Sequence, residues 1–402
     1  MKQILFVDDE QKILDGLKRT LRPIRHEWTM MFACGGEEAL KVLEQSPVDV
    51  VISDMRMPGM DGAELLRRIQ HQYPHVIRVI LSGQSDKEMA LQSIGATHLF
   101  LSKPCEKEVL QATIERACAL RMLLKNDSLR ALVGSMKSIP SMPRLYAEIK
   151  QLVESDQWSL QDITKIIELD VGMTARVLQV VNSAYFGTAK NVSTVEQAVN
   201  FLGVDLIQSL ALSEHVFSKC PDHIAEMFPI DRLWSAGAGT GALAREIAKA
   251  EQRPAVEVEQ AFIAGLLHDT GILMLAINCG KRYRATLENA RARQLKIAQA
   301  EHEEFESTHA EVGAYLLGLW GVSESIVEAI ALHHRPGESQ ASGFTPLTAV
   351  HAADVLYQEI HGSITGCPSS SLDLAYLERL KLADRLPKWR ELATGLSQEA
   401  KP

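Results

Sequence analysis

Cysteine is scarce in this chain and carries no pattern: Cys34, Cys105, Cys118, Cys220, Cys279 and Cys367 are scattered over 402 residues without a CxxC spacing. A disulfide framework is thereby excluded, and reduced, mostly buried thiols of a cytoplasmic protein are expected. Basic residues are in deficit, 42 Lys and Arg against 51 Asp and Glu, for a net charge of −9. Nucleic acid needs clustered Lys and Arg to meet its phosphates, so it is not expected as the main partner. No apolar run approaches bilayer length and Met1-Lys2 leads straight into a strand, so neither membrane contact nor a signal peptide is expected. Internal repeats and low-complexity tracts are also lacking.

What is present is the composition of a folded protein, 46% hydrophobic and 23% charged. The length exceeds one ordinary core and predicts two or three domains. Up to about residue 105, short apolar strands near 3–7, 28–33, 48–53, 76–81 and 98–101 alternate with amphipathic helical stretches. That is the pattern of an α/β fold, a five-stranded parallel doubly wound sheet. From Glu106 the pattern turns helical, with Leu110, Ile114, Ala117, Leu120 and Leu124 at helical spacing. It predicts an extended helix that joins domains and offers a dimer seam, although its first half could equally pack on the sheet.

Two prolines in IPSMP (139–143) break the helical pattern and set a domain boundary just before it. Beyond it, to about residue 361, apolar residues recur every three or four positions and predict an all-α domain. GSITGCPSSS (362–371) is a loop by composition, and a short helical tail with Trp389 follows. The expected division is therefore 1–120, a helical connector over 121–137, the helical domain over 138–361, and a loop and tail over 362–402.

Polar residues stand where the apolar strands stop. Asp8 and Asp9 end the first (QILFVDDE), Asp54 the third (VDVVISDMRMPGMDG), Ser82 the fourth (VIRVILSG), and Lys103 follows the fifth (HLFLSKP). In an open parallel sheet such stops align at the carboxyl edge, where these folds bind ligands. A single Asp at a strand end is more often a helix cap, but the set occupies sheet-edge positions in order. Three carboxylates form a negative nest that suits Mg²⁺, a hard cation that prefers oxygen ligands. Asp54 can then attack a phosphoryl donor, with Ser82 donating a hydrogen bond and Lys103 pairing with the transferred group.

On these strings, with D-x-x-M-P-x-M-D-G after the third strand, the first 120 or so residues resemble the receiver domain of two-component response regulators. The resemblance implies that Asp54 is the phosphoacceptor. It implies Asp9, Asp54 and the backbone carbonyl of Arg56 as Mg²⁺ ligands, with Asp8 assisting through water. Phe100 takes the aromatic switch position that reports the hydroxyl at Ser82, and a sensor histidine kinase is the implied phosphodonor.

In the second half, AFIAGLLHDTGIL delivers His268 and Asp269 side by side, followed by His309, then His333 and His334, and Asp354 (HAADVL). Imidazoles and carboxylates gathered on a helical bundle suit an iron, manganese or zinc site whose bound water attacks a phosphate ester. Singly, each is more often a satisfied core or surface group, and His333 and His334 precede Arg335-Pro336 at a helix end.

PSMP, IIELDVGMTARVLQVVNSAYFG, VSTVEQAVNFLGVDLIQSLAL, GLLHDTG, HAEVGAYLLGLW and AIALHH together resemble the HDOD (HD-related output) branch of the HD superfamily, over about 138–355. One departure stands out. Catalytic HD phosphohydrolases carry a histidine ligand shortly after a tryptophan, but here Ala236, two residues after Trp234, stands where that histidine would be expected. Losing a ligand weakens metal binding and disturbs the geometry that activates water. HHRPG also lacks the G-Y-P signature of cyclic-di-GMP phosphodiesterases. GAGTGALA (237–244) follows no convincing strand, so it reads as small residues at a helix crossing and not as a nucleotide loop.

The expected whole is a phosphorylation-gated response regulator with Mg²⁺ at the receiver and a non-catalytic HDOD module. That module would bind a protein partner, such as a kinase or a diguanylate cyclase, and homodimerisation is expected through the receiver or connector. The rival is a transition-metal phosphohydrolase or cyclic-dinucleotide phosphodiesterase using the six His and Asp residues.

Overall fold

The structure, a computed structural model, describes residues 2–83, 93, 96–124, 126–136, 140–141, 152, 159–181, 192–201, 218–219, 227 and 229–399. The chain divides into two compact units, the first centred on Met1–Lys137 and the second on Ser138–Leu178, Val192–Leu317 and Val322–Pro402.

In the first unit β1 (Lys2–Val7), β2 (Trp28–Ala33), β3 (Val50–Asp54), β4 (Ile77–Ser82) and β5 (Leu99–Ser102) form one parallel sheet in the order β2-β1-β3-β4-β5. Each expected strand is present, displaced by at most two residues. The order reverses at β1, which has β2 on one side and β3 on the other, so the ends of β1 and β3 open on a crevice. Helices α1 (Gln11–Leu21), α2 (Gly36–Gln45) and α3 (Gly62–Gln72) connect the strands. Asp61 caps α3 by accepting from the amide of Glu64 at 2.7 Å.

The expected single long helix after Glu106 is two helices, α4 (Lys107–Arg121) and α5 (Asp127–Ser135). The amides of Met122 and Leu123 turn back onto Ala119 and Leu120, and the Asn126 side chain caps the new helix by accepting from Leu129. Helical spacing alone could not reveal this break, because the apolar residues on either side keep the same period. Helix α5 then packs on the sheet unit through Gly134, where a Cβ would come within 2.1 Å of the Pro74 carbonyl oxygen. Fully buried Arg78 on β4 donates to Gly134 O and Ala96 O, both at 2.6 Å, and to Val76 O at 3.1 Å.

The second unit is helical among its described residues, apart from a two-residue pairing of β6 (Pro140–Ser141) with β7 (Ser218–Lys219). Its helices are α6 (Leu160–Glu168), α7 (Val171–Val181), α8 (Ile230–Ala250), α9 (Ala255–Leu267), α10 (Thr270–Arg293), α11 (Ile297–Phe305), α12 (His309–Leu319), α13 (Glu324–Leu332), α14 (Pro346–His361), α15 (Leu374–Arg379) and α16 (Leu386–Glu399). Residues 362–371 are the expected loop. The remaining residues of IPSMP, all of NSAYFG and all but the first residue of FLGVDLIQSLAL lie outside the described residues.

One stretch, Ala255–Arg293, is long and apolar enough by composition to cross a membrane, contrary to the expectation of no such run. Its most apolar window is 83% buried inside the fold, because α9 and the first half of α10 form the centre of the bundle. GAGTGALA lies within α8, and a Cβ on Gly237 or Gly241 would come within 2.8 Å of a carbonyl oxygen of α9. These small residues serve a helix crossing, as their context predicted.

Candidate functional site

At the edge where β1 and β3 end, Asp8, Asp9 and Asp54 bring carboxylate oxygens within 4.8 Å of one another. Lys103, just past β5, places Nζ 2.7 Å from Asp54 Oδ1 and 3.4 Å from Asp8 Oδ2. Burial would lower the Lys103 pKa, but the hydrogen bond and charge of Asp54, then Asp8, outweigh it and raise it. Asp8 is buried, and that burial raises its carboxyl pKa, with the Asp54 charge adding and the Glu10 amide and Lys103 opposing. The amide of Met55 donates to Asp54 Oδ1 at 2.7 Å, which holds that oxygen toward Lys103.

Ser82 ends β4 and is buried, and its carbonyl accepts the Lys103 amide at 2.8 Å. Phe100, opposite Ile80 on β5, is buried. Arg56 stands two residues past Asp54 in the loop before α3. Gly62 closes that loop, because a Cβ there would come within 2.1 Å of the Asp54 carbonyl oxygen.

The arrangement fits a divalent cation. Three carboxylates face one place, and the only cation drawn to them there among the described residues is a single ammonium.

The second cluster gathers on α10, α12, α13, α14 and the turn after α9. His268, Asp269, His309, His333 and Asp354 are buried, and His334 is partly buried. His268 and His333 each bond through Nδ1 at 2.7 Å to a carbonyl one turn back, Gly265 O and Ile330 O. Their Nε2 atoms therefore turn inward. His268 Nε2 lies 3.2 Å from Asp269 Oδ2 and 3.4 Å from Asp354 Oδ1. His309 Nε2 lies 3.3 Å from Asp269 Oδ1, and His333 Nε2 lies 3.9 Å from the same oxygen. All six residues read from the sequence come together.

Three others were missed there. Glu301, fully buried, accepts from Tyr283 OH at 2.7 Å and from both the amide and Nδ1 of His309. His351 accepts from the Asp373 amide and bonds through Nδ1 to His333 O. Ser370 bonds His334 Nδ1 at 3.0 Å. His351 lies three residues before Asp354 on the same helix face, a signal the sequence offered, whereas Glu301 and Ser370 meet the cluster only through folding.

Charge is strongly polarised in this cluster. Burial disfavours the imidazolium of His309, but Glu301 and Asp269 overcome it and raise the pKa to about 10. Asp269 and Asp354 resist the effect of burial and stay low because of their histidines, His268 above all. Burial, then neighbouring imidazoles, lowers His333 and His334. Two polar atoms in the centre have no hydrogen-bond partner among the described residues, His333 Nε2 and Asp354 Oδ2. Buried orphans of this kind cost about 1–3 kcal/mol each unless an ion or water meets them. With Nδ1 atoms tied by carbonyls and Glu301, the set fits a transition-metal ion.

Ala236 is buried on α8. In its turn, Trp234 and Gly237 line a void of about 10 Å³ together with Asp269, so this turn faces the cluster but offers it no ligand.

Two family models match the chain. The response regulator receiver domain matches residues 4–115 and the HDOD domain matches residues 139–336. An uncharacterized protein of Treponema pallidum (strain Nichols) is 27% identical over 310 residues, 73% of this chain and 59% of that protein. The crystal structure of the MmoQ response regulator from Methylococcus capsulatus str. Bath is 24% identical, covering 63% of this chain and 98% of that one, with a TM-score of 0.49. The signal receiver domain of an HD domain-containing protein from Pseudomonas fluorescens Pf-5 is 34% identical, covering 30% of this chain and 97% of that one, with a TM-score of 0.29. The chain spans less than two thirds of the length of the curated relatives it matches first, from 59% down to 23%.

Proposed function

The chain belongs to the two-component response regulators, with a receiver domain followed by an HDOD domain, and from that premise we propose that phosphorylation of Asp54 by a histidine kinase gates the HDOD domain. The observation that carries the reading is Lys103 Nζ, 2.7 Å from Asp54 Oδ1 beside the Asp8 and Asp9 carboxylates. An Asp54 oxygen forms the new P–O bond while the bond from phosphorus to the kinase histidine breaks. Lys103 meets the added negative charge and Ser82 donates to a phosphoryl oxygen. Receiver domains generally use Mg²⁺ here; Asp9, Asp54 and the Arg56 carbonyl would hold it, with Asp8 through water, and it would neutralise charge at the transferring group.

The phosphoryl group draws Ser82 and Lys103 toward it, and Phe100 follows on β5. That biases the arrangement of α4 and α5 and, through them, the availability of the HDOD domain to a protein partner. Incubation with a small-molecule phosphodonor and Mg²⁺ should label the chain stoichiometrically, and Asp54→Asn should abolish labelling. Equal labelling of the variant would remove Asp54 from this role.

A second reading is favoured by the orphaned His333 Nε2 and Asp354 Oδ2. His268, Asp269, His309, His333, His334 and Asp354 would hold a transition metal, which supplies a Lewis acid toward a phosphate ester. The missing histidine at Ala236 argues that the natural chain holds it weakly and that the module is a binding one. Purified under iron and manganese supply, the chain should contain well under one metal per protomer, and Ala236→His should raise that content severalfold. A full complement in the natural chain, with hydrolysis lost on His268→Ala, would make the domain an enzyme.

A further inference from the structure

Helix α10 turns a corner at Gly280, whose φ of 34° and ψ of −104° lie far outside helical values. A Cβ there would meet nothing within 4 Å, so glycine is needed for its left-handed φ and not for lack of space. A helix interrupted in this way can bend at one residue. Past the corner, residues 281–293 and α11 make a hairpin with its own internal bonds. Arg282 pairs with Glu304 and lies over the Phe305 ring at 4.6 Å, Tyr283 OH donates to Glu301 at 2.7 Å, and Arg293 pairs with Glu303.

The loop after α14 belongs to the same body. Arg291 Nε donates to Thr365 O at 2.7 Å and Lys296 Nζ to Ser371 Oγ at 3.1 Å. Ala290, Ala300 and Cys367 form a small core of their own, with Ile297 packed against it. The chain joins this body to the bundle through left-handed residues again, Glu306 (φ 57°) after α11 and Gly362 (φ 77°) before the loop. Two contacts latch it to the histidine cluster. Glu301 accepts the backbone amide of His309 at 2.9 Å, and Ser370 Oγ lies 3.0 Å from His334 Nδ1. Between hairpin, loop and bundle lies a cavity of about 530 Å³, lined by Asp269, His309 and His334 of the cluster and by Lys296, Ile297 and His302 of the hairpin.

We propose that residues 281–305 and 363–371 form a hinged flap, turning at Gly280, Glu306 and Gly362, that controls access to the His and Asp cluster. Its role as a gate rests on the reading of that cluster as a ligand site; the hinge itself does not. His268, His333 and Asp354 are at most 2% exposed, so a ligand reaches them when a neighbouring element moves aside. The flap has left-handed joints at three of its chain connections, and its own pairs and small core hold it together as it turns. Opening breaks the Glu301 and Ser370 latches and leaves the internal pairs intact. Units of this kind open at a lower free energy than the whole fold, as active-site lids do.

Native-state hydrogen exchange of the full-length protein, in chelator, tests the hinge. Amides of residues 285–293 and 301–305 should exchange as one block, at least about tenfold faster than residues 274–279, which belong to the same helix. Glu301→Gln should speed that block by about tenfold, as loss of a hydrogen bond to a charged group does, and leave 274–279 unchanged. Ser370→Ala should act in the same direction by severalfold. Modification of His333 by diethylpyrocarbonate should accelerate in the same proportion in both variants. One uniform rate from 274 to 293 would remove the hinge and overturn the proposal. Faster exchange of the block with His333 modification unchanged would overturn the gate. Split exchange and faster His333 modification, in a chain that takes up no metal at any Mn²⁺ concentration, would keep the flap and sink only the metal reading of the cluster.

Discussion

Replacing Gly271 with alanine is expected to destabilise the second unit by at least about 3 kcal/mol, the upper range of overpacking effects. Gly271 opens α10 directly after the His268-Asp269 pair. A Cβ there would lie 1.9 Å from the carbonyl oxygen of His309 and 2.9 Å from its Cα. These are backbone atoms of the first turn of α12, which a rotamer change cannot clear. Gly313 comes from the opposite side, where its Cβ would meet Thr270 Oγ1 at 2.9 Å. The two helix starts therefore cross at van der Waals limit, and this crossing delivers His309 to Asp269. Denaturant unfolding followed by near-UV circular dichroism would check it. A change within 0.5 kcal/mol would show that α10 and α12 are further apart than described.

Arg78→Met should cost the first unit about 3–5 kcal/mol, in the range found when one partner of a buried charged network is removed. The guanidinium satisfies the carbonyls of Ala96, Val76 and Gly134, and Met leaves each of these buried acceptors short of a donor. The loss should release α5 first, seen as faster amide exchange over 127–135 than over β1 or β3. The variant also changes acid sensitivity. Burial, then the charge of Arg78, lowers the pKa of His98, while Gly134 O works against them. A histidine whose folded pKa is depressed contributes stability that is present above its unfolded value, near 6.5, and is lost as pH falls below it. Removing the Arg78 charge removes one cause of the depression, so the drop in stability between about pH 6.5 and 5 should be shallower in Arg78→Met. An equally steep drop would mean that burial alone keeps His98 neutral.

The sequence by itself determined most of the first site. Parallel strands in a buried sheet are continuous apolar runs, and their ends are marked by the residues that stop them. Asp8, Asp54 and Ser82 could therefore be placed at one edge without knowing any side-chain contact, as could Lys103 just past β5. It also offered the six residues of the helical cluster as candidates, since imidazoles and carboxylates on helical stretches suit a metal, but nothing local showed that the separate stretches converge. It failed at the α4–α5 break, because period reports which face is apolar and not whether the helix is continuous.

Only the tertiary structure decided the rest. Glu301 reaches His309 because α11 folds back beside α10. Ser370 and Lys296 share a wall because the loop after α14 returns to the start of α11. Arg78 and Gly134 meet across 56 positions of sequence. None of these pairings has a local signature. Each depends on how close two helices or a helix and a sheet can approach, which packing sets residue by residue at Gly62, Gly134 and Gly271.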